Sequence, residues 1–79
     1  MGYGVKRAWV LVNTIVGKEL QALKELRRVP GIKEAHAVTG EYDIILLIEA
    51  STMKKMEDIL TWNIRRDKNV CSTVTMIEP

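Results

Sequence analysis

Apolar and polar residues alternate in short blocks, and each block carries the period of one kind of element. Arg7 to Asn13 (RAWVLVN) alternates with period two and predicts a strand. Ala8, Val10 and Val12 share one face, with Trp9, Leu11 and Asn13 on the other. Thr14 to Gly17 is a connection. Lys18 to Arg28 then reads as a helix, with Leu20, Leu23 and Leu26 as its apolar stripe, widened by Ala22. Val29-Pro30-Gly31 stops it, because proline lacks a donor and glycine permits the turn. Ile32 to Thr39 predicts a weaker strand in which Ile32, His36 and Val38 share a face. Gly40-Glu41 reads as a tight hairpin connection into Tyr42 to Ala50 (YDIILLIEA), the strongest strand of the chain. Ser51 or Thr52 can cap a second helix marked by Met53, Met56, Leu60 and Ile64, with Ile59 beside the stripe and Trp62 well off it. That helix is expected to end near Arg66. Val70 to Glu78 is a last strand rich in β-branched residues.

The order β-α-β-β-α-β defines the expected fold class, α+β and ferredoxin-like. It is a four-stranded antiparallel sheet with two helices on one face and the first and third strands central. The third strand adds a second constraint. Ile44, Leu46 and Ile48 point one way, while Ile45 and Leu47 point the other. A strand with one wet face alternates apolar with polar, and this one does not. The second sheet face therefore also requires cover, and the chain has no third layer to provide it. A homodimer packed sheet to sheet, the dimeric α/β-barrel type of pairing, is the expected solution.

Composition narrows the class. The 79 residues make one small domain, 47% hydrophobic and 28% charged, which excludes a disordered chain. Net charge is +2, with both signs mixed along the sequence, so bulk electrostatic binding of nucleic acid is not expected. The nearest basic cluster, Arg65-Arg66-Asp67-Lys68, suits a helix C-terminus or a phosphate contact. No apolar run approaches the roughly 20 residues that span a membrane. Met1 to Arg7 shows no signal-peptide pattern. The single cysteine, Cys71, excludes an internal disulfide and suits a reducing cytoplasm.

Catalytic chemistry is thin. One histidine and one cysteine lie on different strands without metal-ligand spacing, so no metal, cofactor or catalytic residue is expected. His36 reads as a satisfied, partly buried side chain and Cys71 as a small packing residue. Glu57 and Asp58 read as a solvated helix face. One segment stands out, Thr39-Gly40-Glu41-Tyr42-Asp43. An aspartate opening an apolar strand requires partners. Either it satisfies donors of its own turn, or it faces a ligand's cationic group at an interface between subunits. Thr73 and Thr75 share a sheet face, as hydroxyl donors or simply as strand formers.

Three stretches carry a family resemblance: Ala8 to Thr14 with Gly17, Ile32 to Ala35 with Val38 to Ile45, and Val70 to Ile77. Together, across about residues 7 to 78, the chain resembles the ligand-binding domain of Lrp/AsnC transcriptional regulators, also called the RAM domain. The resemblance implies residues 1–79 as a single RAM domain without a helix-turn-helix unit and without specific DNA binding of its own. It implies an amino-acid effector bound between dimers, a higher oligomer such as a ring of four dimers, and full-length Lrp/AsnC regulators as partners to modulate. Carried onto this sequence, the ligand-binding positions are Gly40, Tyr42, Asp43, Thr73 and Thr75. Asn63 is a further candidate for reading the ligand's side chain, and an uncharged residue there suits a neutral or amide side chain. Rival readings are a structural assembly partner without a ligand, a small enzyme of the dimeric α/β-barrel type, and an ACT-type sensor, for which Gly17 alone is a poor match.

Overall fold

A computed structural model describes residues 4–79. Gly2 and the rest of the first three residues lie outside the described part. The chain folds as β1 (Lys6–Thr14), α1 (Glu19–Arg27), β2 (Ile32–Ala37), β3 (Ile44–Ala50), α2 (Met53–Asp58) and β4 (Val70–Ile77). α2 runs on without a break into a π-helical segment, Ile59–Arg65. The sheet order is β2-β3-β1-β4, antiparallel throughout, so β1 and β3 are central as the crossover rule requires. Among the described residues no helix is long and apolar enough to cross a membrane.

The core lies between the sheet and the helices. Val10 and Val12 from β1 meet Ile44, Leu46 and Ile48 from β3, all fully buried. Leu26, Met56 and Ile64 close over them from the helices. Thr52 caps α2, its hydroxyl accepting from the Lys55 amide at 3.1 Å. Met56, Leu60 and Ile64 recur every four residues. Four residues overshoot an α-helical turn by about 40°. The wider π-helical turn takes up that overshoot, and Leu60 and Ile64 stay on the sheet.

Several local expectations are corrected. Leu20 is 70% exposed, outside the stripe assigned to it. Steps of three fall short of a turn by about 60° each, so Leu20 ends far round the helix from Ala22, Leu23 and Leu26, which are the buried set. The hairpin loop is six residues, 38–43, rather than Gly40-Glu41. β2 ends at Ala37 and β3 begins at Ile44, because the Asp43 amide donates sideways to Val12 O at 2.9 Å. Finally, the β2–β3 register slips between Ile32 and Glu34, making Lys33 an extra residue. That bulge puts Ile32 and Ala35 on the helix side and turns His36 to the open face, so Ile32 and His36 do not share a face. His36 is exposed and pairs with Glu34 at 3.2 Å. Cys71 is exposed as well, not a packing residue.

Beside the bulge, Gly31 has φ +98°, and a Cβ there would meet Ile59 Cδ1 at 2.6 Å. Only glycine lets the chain enter β2 this close beneath the π-helical segment.

Candidate functional site

One end of the sheet gathers three connections: residues 15–18, 38–43 and 66–69. Asp43 ties the first two together. Its Oδ2 accepts from the Thr14 amide at 2.8 Å and from Thr14 Oγ1 at 3.1 Å. Its own carbonyl accepts from the Val38 amide at 2.9 Å. The expectation that Asp43 serves donors of its own turn is therefore corrected, since the donors belong to the end of β1. Bonds to a charged acceptor of this kind contribute roughly 1.5–3 kcal/mol. Gly40, at φ +122°, leaves the loop tip open, with nothing within 4 Å of a built Cβ. Tyr42 is half-buried beside it.

Thr73 pairs with Val12, the residue whose carbonyl takes the Asp43 amide. Gly40, Tyr42, Asp43 and Thr73 thus lie at the same end of the sheet. Thr75 lies two residues further along β4, opposite Val10 and so on the helix-covered face. Its Oγ1 is buried without a hydrogen-bond partner among the described residues. An orphaned buried hydroxyl costs about 1–3 kcal/mol, which makes it a candidate ligand contact. Asn63 is exposed on the π-helical segment.

Thr75 lines a cleft of about 370 Å³ between the π-helical segment and β4, with Glu57, Leu60, Thr61, Arg65 and Ile77. Asn63 is not among these residues. Glu57, Thr61 and Arg65 form a row at four-residue spacing, directly beside the buried row Met56, Leu60 and Ile64. Glu57 and Arg65 are both exposed, Arg65 in the last turn of the helix, as the solvated-face and helix-end readings expect, and both also line this cleft.

The same end of the sheet holds a polar network. Ile15 N donates to Asn69 O at 2.9 Å, and Asn69 N donates to Asp67 Oδ1 at 2.8 Å. Asn69, buried, also donates from Nδ2 to Glu25 Oε1 at 3.1 Å. Burial pushes the Asp67 carboxyl above its ordinary range, against the pull of the Asn69 amide. A hydrogen bond with Asp67, joined by those from Asn69 and Gln21, holds Glu25 below its own. Among the described residues no cluster of His, Cys, Asp and Glu is arranged to hold a metal.

The open sheet face is different in character. Trp9, Leu11, Ile45 and Leu47 are half-buried at its centre, and Val74 and Met76 are 42% and 47% exposed on β4. Arg7 and Glu49 pair at 2.8 Å, and with Glu34 and His36 they provide polar groups around this centre. An apolar centre with a polar rim is the anatomy of a protein–protein interface.

Element order, sheet order and helix placement define the class: a βαββαβ ferredoxin-like domain. Within that class, the model of the Lrp/AsnC ligand binding domain matches residues 8–78, and the chain belongs to that family. It is 33% identical over 57 residues to an uncharacterised HTH-type transcriptional regulator of Pyrococcus furiosus, covering 72% of this chain and 38% of that protein. The chain therefore spans well under half the length of the curated regulator it matches. Among solved structures, FFRP-DM1 superposes with a TM-score of 0.90 at 37% identity, covering 96% of this chain and all of that one. A transcriptional regulator of Neisseria meningitidis, solved as a complex with L-Met, shares the fold at 18% identity and a TM-score of 0.82, over 99% of this chain and 51% of its own.

Proposed function

We propose that this protein is a non-enzymatic module that binds a free amino acid and assembles through its open sheet face, modulating Lrp/AsnC-type transcriptional regulators in the cytoplasm. The observation that supports the reading is that a glycine-tipped loop, Asp43 and Thr73 of β4 lie at one end of the sheet. Gly40 lets the loop backbone approach a ligand's head group. Both Thr14 bonds end on Asp43 Oδ2, so Oδ1 is the atom that meets an ammonium. Thr73 and the orphaned Thr75 hydroxyl lead from the head group into the cleft. The L-Met complex of the Neisseria relative supports an amino acid as the ligand class.

Assembly follows from the open face. Two copies that cover each other's Trp9, Leu11, Ile45 and Leu47 give β3 its second apolar environment. Dimers then associate further around the loop end, in a higher oligomer such as a ring of four dimers, so that ligand binding and ring formation are linked. The whole of residues 1–79 acts as one ligand-binding unit in this reading, and regulators carrying the same domain are its protein partners.

Titration of the 79-residue chain with each amino acid, followed by calorimetry, tests the sensing half. Saturable binding of one or a few, weakened by Asp43→Ala, is the expected result. Indifference to all of them would leave the module as an assembly partner alone, the reading favoured by Asp43 already serving Thr14.

A further inference from the structure

We infer that the ligand is an amino acid with a cationic side chain, held with its carboxylate toward Arg65 and its distal cation on Glu57. The inference rests on the amino-acid reading above and names the ligand class of that site. It starts from the cleft between the π-helical segment and β4. Glu57 and Arg65 both line it, eight residues apart on one helical row, with Thr61 midway. Neither takes part in an ion pair within 4 Å among the described residues, while Lys54 takes the neighbouring Asp58 at 3.8 Å. The cleft therefore presents an unpaired carboxylate and an unpaired guanidinium at its two ends. Leu60 and Ile77 supply apolar wall between them, and Thr75 also lines the cleft, its Oγ1 buried without a hydrogen-bond partner.

The order of the ends follows from the chain path. The π-helical segment stops at Arg65 and turns through residues 66–69 into β4, which starts at Val70. Arg65 is thus at the same end of the sheet as Thr73 and the Asp43 loop, the end to which the proposed function assigns the head group. Glu57 is at the far end, with Ile77. A head group at the loop end directs the side chain along Thr75 toward a carboxylate, and a side chain that ends in a cation completes that charge. An apolar side chain would cover Glu57 without pairing it, and an acidic one would be repelled. Asn63 is exposed and outside the cleft, so its uncharged side chain does not set this choice.

Calorimetric titration of the assembled full chain with L-lysine, L-arginine, L-methionine and L-glutamate is the test, repeated on Glu57→Gln, Glu57→Lys and Arg65→Gln. Lysine or arginine is expected to bind about tenfold or more tightly than methionine, with glutamate weakest. Glu57→Gln is expected to lower lysine affinity about tenfold and leave methionine unchanged, and Glu57→Lys to favour glutamate. Arg65→Gln weakens all ligands alike. Methionine binding as tightly as lysine, or a Glu57→Gln variant that keeps its lysine affinity, overturns the assignment while the amino-acid reading stands. No binding by any of these four, nor by any other amino acid titrated into the chain, overturns both.

Discussion

The two faces of the same sheet differ in how completely they are covered. On the helix side Val10, Val12, Ile44, Leu46 and Ile48 are fully buried. One residue away along the same strands, Trp9, Leu11, Ile45 and Leu47 remain half-exposed, although they are equally apolar. β3 is hydrophobic on both sides, and the chain supplies cover for one of them. The helix face holds the fold together. The open face carries the same kind of driving force, which the proposed dimer would satisfy with a second copy.

Substitutions at neighbouring positions of β3 test this contrast most strongly. Leu46→Asp places a charge in the closed core, at a cost of several kcal/mol against a total stability of about 5–15 kcal/mol. The expected outcome is loss of cooperative thermal unfolding by circular dichroism, and a native-like melt would contradict the core assignment. Leu47→Asp, one residue on, is expected to keep the circular dichroism spectrum and reduce the scattering mass to that of the 9.0 kDa chain. An unfolded Leu47→Asp protein, or one of unchanged mass, would mean that the two faces do not divide folding from association.

Asp43→Ala probes the loop end, outside both faces. It removes two bonds to Thr14 and is expected to lower stability by about 1–3 kcal/mol in urea titration, with the dimer retained. Dissociation instead would tie this loop to the sheet-face interface. Asp67→Asn has the smallest expected effect, under about 0.5 kcal/mol, and its sign is set by pH. Burial raises the Asp67 pKa in the folded chain, so the contribution of its protonated form is full below the ordinary aspartate value. That contribution is lost as pH rises through the folded value. Asparagine does not ionise, so the variant is more stable at about pH 7, and the gain shrinks toward about pH 4. A gain of equal size at both pH values would remove Asp67 titration as its cause.

Much of the architecture was legible because it is written in periodicity. The two-residue alternation of β1, the uninterrupted apolar run of β3, the Thr52 cap and the off-stripe position of Trp62 all reappear as read. Trp62 is 59% exposed, with Arg66 stacked 4.7 Å above its ring. What escaped depended on single-residue events that a pattern does not carry. Lys33 bulges and reverses the faces of His36 and its neighbours. Leu20 keeps a spacing of three that drifts off the core. At the candidate site, Asp43 stood out as an aspartate opening an apolar strand, while Gly40 and Tyr42 came with the family resemblance, and a ligand role for all three is a proposal. The role of Asp43 toward Thr14 was not, because Thr14 is distant in sequence. Glu57 and Arg65 are solvent-exposed as their sequence pattern implies, and only their place beside β4 in the cleft was not legible.

Light-scattering mass, measured on the wild-type chain alone and with L-lysine or L-methionine, tests the central claim most directly. The account predicts a multiple of the dimer mass that responds to an amino acid. A 9.0 kDa monomer, unmoved by either ligand, would contradict both the second cover for the sheet and the sensing role built on it.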